Sequence, residues 1–459
     1  MPRAVAATAS APLPPLVPGL PLLGSVGEIA RRGMLPFLEQ KWHELGDTFR
    51  IRVGSRTMMA VVHPDGVEHV LAGRRENYVK GRTYDEMRLL TGAGLLTLEG
   101  RAWLGRRRLE QPAFHRESIK GLVQAMAKVT RDRLGRWRAR GPQGGTFDAH
   151  REMMGLTLEV VGETLFGEPF GEASTDASAS AFTEALRLIS DRANGVSLPL
   201  ALPTPRNLRL KRALKTLDQM VFRIISAARA RPGARAGATL LEMLLSARDT
   251  DTGEGLTDVE LRDEVITLFL AGHETTALLL TWGFTLLGRH PDVVARARAE
   301  VEEVLGARDP TADDLPRLSY LKRAIDEILR LRGPTWTVAR DAVEEDVLCG
   351  FRVRPGDVVM PISYLTHRHP AFWEEPERFD PDRFLPERVK ARRMWAYYPF
   401  SMGPRMCIGN VFSLVEAQIV LAMLLQQLDL ELVPGPEVLP SAVITLRPSA
   451  PVRVSYRWR

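Results

Sequence analysis

The sequence predicts a mainly α fold with a minor β part, and three observations carry that prediction. A long, almost wholly apolar run begins at a helix-start signal around Thr257. Helical patterning dominates from about residue 100 onward. Short β-rich runs are confined to 46–62, to 343–360 and to two stretches near the C-terminus, 442–446 and 452–456.

Residues 1–24 form a Pro/Ala-rich segment whose prolines at 12, 14, 15, 18 and 21 bar a membrane-spanning helix. A soluble, cytoplasmic protein with no membrane anchor is therefore expected. Residues 25–459 are read as one domain, since no repeat and no linker divides them. The runs 48–53 and 58–62, split by Gly54 and Ser55, read as a hairpin. Loops are expected at 171–180, 199–205 and 231–237, where glycine, serine, alanine or proline interrupts the helical pattern. Thr257 with Glu260 forms a capping box, and Leu256 with Leu261 a hydrophobic staple. The helix they open is predicted to run to His290 before Pro291, a length of roughly 50 Å. In the next helical stretch, 320–331, Glu327 and Arg330 stand three apart on one face.

Composition narrows the function. The two cysteines, Cys349 and Cys407, permit neither a disulfide framework nor a four-thiolate cluster, so electrons for any redox chemistry must come from another protein. Cys349 lacks any surrounding pattern and is read as structural. The net charge of +6 is small for 459 residues and spread along the chain. Nucleic-acid binding is not expected; part of the excess suits a face that docks an acidic electron donor.

Two segments carry the chemistry. In Phe400-Ser401-Met402-Gly403-Pro404-Arg405-Met406-Cys407-Ile408-Gly409 a lone thiol lies between glycines that let the backbone turn tightly against a flat macrocycle. Arg405 can pair with a haem propionate, Phe400 can shield the sulfur, and amides following Cys407 can moderate its charge. That is what a haem iron held by one thiolate requires. Inside the long apolar helix, Ala271-Gly272-His273-Glu274-Thr275-Thr276 places polar groups where packing alone would want none. The His-Glu pair is no zinc site of the His-Glu-x-x-His kind, because position 277 is Ala.

The first segment resembles the Phe-x-x-Gly-x-Arg-x-Cys-x-Gly signature of the cytochromes P450, and the second is similar to the Ala/Gly-Gly-x-Asp/Glu-Thr-Thr/Ser motif of the same family. The resemblance implies the P450 fold, with the long helix crossing a buried haem b whose axial ligand is Cys407. It implies that Ala271 and Gly272 leave room for dioxygen, that Thr275 hydrogen-bonds it and that Glu274 relays protons. Trp103 and Arg107, four apart, resemble a Trp-x-x-x-Arg motif at a propionate, and Arg340 matches another propionate partner. Pro376-Glu377-Arg378-Phe379 resembles the segment that adds Arg378 to the Glu327–Arg330 pair and locks the loop before the cysteine.

Leu89, Leu90, Leu95, Leu268, Phe269, Trp336, Val338, Val443 and Ile444 fall in segments that the resemblance assigns to the substrate. Their apolar character suits a fatty acid, terpenoid or steroid-like molecule. The implied function is a bacterial-type haem-thiolate monooxygenase that inserts one oxygen atom from O2 and draws electrons from a ferredoxin or flavodoxin with an NAD(P)H-dependent reductase. A peroxide-driven enzyme or isomerase of the same fold, and a non-catalytic haem sensor, are the alternatives.

Overall fold

The computed structural model describes every residue except 1–9, 55, 82–83, 168–171, 195–197, 231–238 and 249–252. The chain divides into two compact units that interleave along the sequence. One comprises 1–84, 326–407 and 439–449; the other comprises 85–325, 408–438 and 450–459.

The first unit is built on a five-stranded sheet. Thr48–Val53 and Arg56–Val61 pair antiparallel as the expected hairpin, with Thr48 opposite Val61. Arg56–Val61 then runs parallel to Val358–Pro361, which is followed across the sheet by Arg340–Ala342 and Tyr78–Val79. Alternation along the first strand sends Phe49 and Ile51 into a core with Trp42, Trp336 and Leu446. Cys349 turns a second hairpin, between Asp346–Leu348 and Phe351–Val353, at a left-handed φ of 49°. The single strand expected at 442–446 is instead a hairpin of Pro440–Ala442 with Leu446–Pro448. Its turn closes where Val443 N–H donates to the Thr445 carbonyl, so β propensity there yields to local hydrogen bonding.

The second unit is mainly helical. Its longest helix, Asp258–Leu287, begins at N-cap Thr257 with both bonds of the capping box formed. It ends three residues short of His290, and Pro291–Leu305 follows as a separate helix. It packs along Ala149–Val161, and Phe269 stacks on Phe166 with ring centroids 4.4 Å apart. A second apolar helix, Asn410–Gln427, follows the cysteine loop. Both are long and apolar enough to cross a membrane, yet 83% and 67% of their apolar windows are buried, which marks them as core helices. A three-stranded sheet, Gly144–Asp148, Arg453–Trp458 and Leu428–Leu432, completes the unit. The expected loop at 171–180 is helical from Glu172 onward, in the helix Glu172–Asn194; alanine and glutamate favour helix more than the interspersed serines oppose it. The loop expected at 231–237 lies outside the described residues.

Candidate active site

In the first unit the cysteine loop is held by its own backbone. Cys407 N–H donates to the Phe400 carbonyl at 2.9 Å, Met406 N–H to Gly403 at 3.1 Å and Ser401 N–H to Tyr398 at 3.0 Å. Gly403 has a φ of 75°, and a Cβ there would lie 2.4 Å from the Leu71 carbonyl oxygen, so only glycine fits. The loop presents an exposed Cys407, with Arg405 and Phe400 half-buried beside it in sequence. Among the described residues no cluster of three or more His, Cys, Asp or Glu side chains could hold a metal. The donor set is therefore a single soft thiolate on a tightly turned loop, which fits an iron whose remaining ligands come from a macrocycle.

Arg340 is buried; its guanidinium donates to the Ala339 carbonyl at 2.7 Å and lies 3.4 Å from the Tyr84 hydroxyl. Trp336 is packed in the core and its indole N–H donates to the Val443 carbonyl at 2.9 Å, which fixes the 440–448 hairpin. Val338 packs with Met59, Val61 and Val359. Ile444 is exposed.

The expected Glu327–Arg330–Arg378 cluster is corrected in its third member. Glu327 and Arg330 form a two-bond pair, 2.7 and 2.8 Å, with no exposed side-chain surface. Burial pushes the Glu327 carboxyl up, and Arg330 pulls it only part of the way back. The side chain that joins them belongs to Arg383, whose Nε lies 3.4 Å from Glu327 Oε1. Arg378 offers only its carbonyl, to Arg330 at 3.0 Å, while its exposed guanidinium pairs with Glu375. The chain carries two Pro-acid-Arg-Phe tetrads, 376–379 and 381–384, five residues apart, and the second one turns inward.

In the second unit the Asp258–Leu287 helix runs unbroken through the polar segment. Most of its middle is buried, but Ala271 is exposed and Gly272 and Thr275 are partly so. Ala271 and Thr275, one turn apart, share a face with Leu268 and Glu264. The Thr275 hydroxyl donates to the Ala271 carbonyl at 2.7 Å, leaving its lone pairs to accept. Glu274 is buried, and Gly272 sits against Val161. An accessible strip of small residues, Ala271, Gly272 and Thr275 with a single hydroxyl, inside a core helix is what a helix facing a flat cofactor and its gas ligand needs.

Trp103 and Arg107 are half-buried on the helix Gly100–Glu110. Arg106 between them is buried and ion-paired to Glu260 and Glu264, so it is no part of a donor-docking face. Leu89, Leu95 and Leu268 lie on or beside the helices of this unit. Leu90 and Phe269 have no accessible surface, so neither lines a pocket: Phe269 points away from the Thr275 face into Phe166 and Phe182.

One carboxyl escaped the sequence reading. Glu416, in the apolar helix Asn410–Gln427, is fully buried, and burial pushes it well above the usual carboxylate range while the Thr276 hydroxyl pulls weakly the other way. Thr276 in turn lies 3.0 Å from the Ser413 hydroxyl. A lone Glu in an otherwise apolar run was the available signal.

With fold and site in view, the comparisons with known proteins are unambiguous. The sequence profile described as Cytochrome P450 matches residues 14–454. Cyclooctat-9-en-7-ol 5-monooxygenase of Streptomyces melanosporofaciens is 36% identical over 421 residues, covering 91% of this chain and 89% of its own. Pentalenene oxygenase of Streptomyces avermitilis is 34% identical over 430 residues and 93% of each chain. The crystal structure of the cytochrome P450DA heme domain superposes with a TM-score of 0.87 at 30% identity, covering 98% of this chain and 97% of that one. The chain belongs to the cytochrome P450 family. It is a haem-dependent oxidoreductase of the monooxygenase type.

Proposed function

We propose that the protein is a haem b monooxygenase with Cys407 as thiolate ligand, acting on a polycyclic terpenoid-like substrate. The observation that carries the ligand assignment is the backbone-locked loop that presents an exposed Cys407 behind a glycine no other residue could replace. When bound, thiolate-ligated haem supplies O2 activation and O–O cleavage. Arg405, Arg107, Arg340 and Trp103 would hold the propionates, each with the charge or N–H donor that a carboxylate takes.

This chain's own part in the chemistry is proton handling. Thr275, its hydrogen committed to the Ala271 carbonyl, accepts a hydrogen bond and thereby fixes a proton-bearing donor over the exposed strip. Glu274, one residue earlier and buried, passes protons to that strip. Leu95 and Leu268 exclude water around the apolar substrate.

The terpenoid reading rests on relatives named for the terpenoids cyclooctat-9-en-7-ol and pentalenene. The apolar side chains around the strip suit such molecules better than a charged fatty acid. Electrons are proposed to come from a ferredoxin or flavodoxin with its NAD(P)H reductase, since two cysteines cannot hold a cluster. We place the enzyme in the cytoplasm as one P450 domain of 25–459 with a Pro/Ala-rich N-terminal segment of 1–24, of which Val17 packs into the core of the first unit.

Two measurements test this. The reduced protein under carbon monoxide should show the red-displaced Soret band of thiolate ligation, and Cys407→Ser should lose it. Titration with polycyclic terpenes should shift the ferric spin state and, with a reduced ferredoxin, yield hydroxylated product; a response to fatty acids alone would overturn the substrate class.

A further inference from the structure

Four buried ionisable side chains in the second unit have no part in the chemistry above. Asp263 and Glu264 lie one turn into the long helix, and Arg106 and Glu110 lie on the helix Gly100–Glu110. Their partners are unusual: two are backbone amides of the segment 92–98. Ala93 N–H donates to Asp263 Oδ2 at 2.7 Å, and Leu95 N–H donates to Glu264 Oε2 at 3.0 Å. Consecutive helix positions thus each take one amide from alternate residues of the segment.

The segment is shaped for this. Gly92 has a φ of 54°, and a Cβ there would lie 2.2 Å from the Asp263 carboxyl. The Thr97 hydroxyl closes the turn on the Gly92 carbonyl at 2.6 Å. Arg262 adds a bond from its guanidinium to the Leu90 carbonyl at 2.9 Å, and reaches Asp263 and Asp218 as well. The other oxygen of Glu264 takes Arg106 at 2.8 Å, and Glu110, raised by burial and by the adjacent Glu264, lies beside it. The clamp is therefore buttressed from behind as well as loaded in front.

Its position gives it a use. Glu264, Leu268, Ala271 and Thr275 follow the 4-3-4 spacing of one helix face. At 1.5 Å per residue Glu264, which holds Leu95, stands roughly 10 Å along the axis from Ala271. We propose that Asp263 and Glu264 are positioning residues that fix segment 92–98 to the oxygen-handling helix and so set the size of the lipophilic molecule admitted before Thr275. This inference rests on the terpenoid monooxygenase reading for its substrate, but the clamp itself is tested separately.

The test uses the full holoenzyme and Asp263→Ala, with Asp263→Asn as the conservative variant whose carbonyl can still accept from Ala93. Hydrogen–deuterium exchange within 92–98 should become about tenfold faster in the Ala variant and stay near wild type in the Asn variant. Spectral dissociation constants for terpenoid alcohols of two, three and four rings should change unequally, the ratio of largest to smallest moving by about fivefold in the Ala variant only. Unchanged exchange overturns the clamp. Faster exchange with an unchanged ratio of dissociation constants overturns its role in selecting substrate. Loss of the carbon monoxide band in wild type, by contrast, sinks the haem-thiolate reading and leaves the exchange result to judge the clamp.

Discussion

Thr275 is the residue whose replacement should separate oxygen activation from product formation. Its hydroxyl hydrogen is spent on Ala271, so Thr275→Ala removes an acceptor without leaving a buried polar atom stranded. Product formed per NAD(P)H consumed should fall by about tenfold, with the difference appearing as peroxide, while ferric ligand affinity barely moves. Full coupling in the variant would contradict the assigned role. The arginines offer a second residue-scale contrast. Arg330→Ala takes the two-bond partner from a buried Glu327 and should cost about 3–5 kcal/mol. Arg383→Ala removes a buried guanidinium that touches Glu327 and donates to the Glu375 carbonyl, about 1–3 kcal/mol, and Arg378→Ala should leave the midpoint unchanged, since its side chain is exposed. Urea midpoints with haem occupancy rank the three. Sequence could name Glu327 and Arg330, because a three-residue spacing fixes a helix face. It could not choose between two near-identical tetrads, because that depends on which of them turns its guanidinium inward and which lends only a carbonyl.

At the scale of elements, helices announced by local chemistry were readable and segments ruled by tertiary bonds were not. The Thr257 capping box is local, and it stands where the residues placed it. Thr257→Ala should destabilise by about 1 kcal/mol, read as a lower urea midpoint with unchanged spectra. The 442–446 run has β-branched residues, yet Leu446 N–H is claimed by the Pro334 carbonyl and the strand folds back on itself. The polar segment is legible as a motif, but the expectation that Phe269 lines the substrate pocket fails because it lies on the face opposite Thr275; a tally of apolar residues ignores the 100° advance per residue that separates them. The cysteine loop was legible for a different reason. Gly403 is required by a left-handed φ and by the Leu71 carbonyl, so Gly403→Ala should displace the loop and weaken thiolate ligation, visible as a fall in the carbon monoxide band at equal haem content.

Across the whole molecule, buried ionisable groups make stability depend on pH from both sides. Glu110, Glu264, Glu327 and Glu416 are raised by burial, so in the folded state they keep protons that the unfolded chain releases above about pH 4.5. Folding then binds protons, and stability falls as pH rises from there toward each folded value. His367 works the other way: burial lowers it, so below about pH 6.5 the unfolded chain takes up a proton that the fold refuses, and stability falls with acid. Glu416 isolates the first effect, since it is fully buried and near Thr276 rather than in an ion pair. Glu416→Gln copies the protonated side chain at every pH. Near pH 4.5 variant and wild type should unfold at the same urea concentration. As pH rises, wild type loses about 1.4 kcal/mol for each pH unit until Glu416 itself ionises, and the variant loses none of that part. The gap in urea midpoints should therefore open above about pH 5 and widen, in favour of the variant, until Glu416 ionises. A gap that stays constant above about pH 5 would mean Glu416 is already ionised within the core.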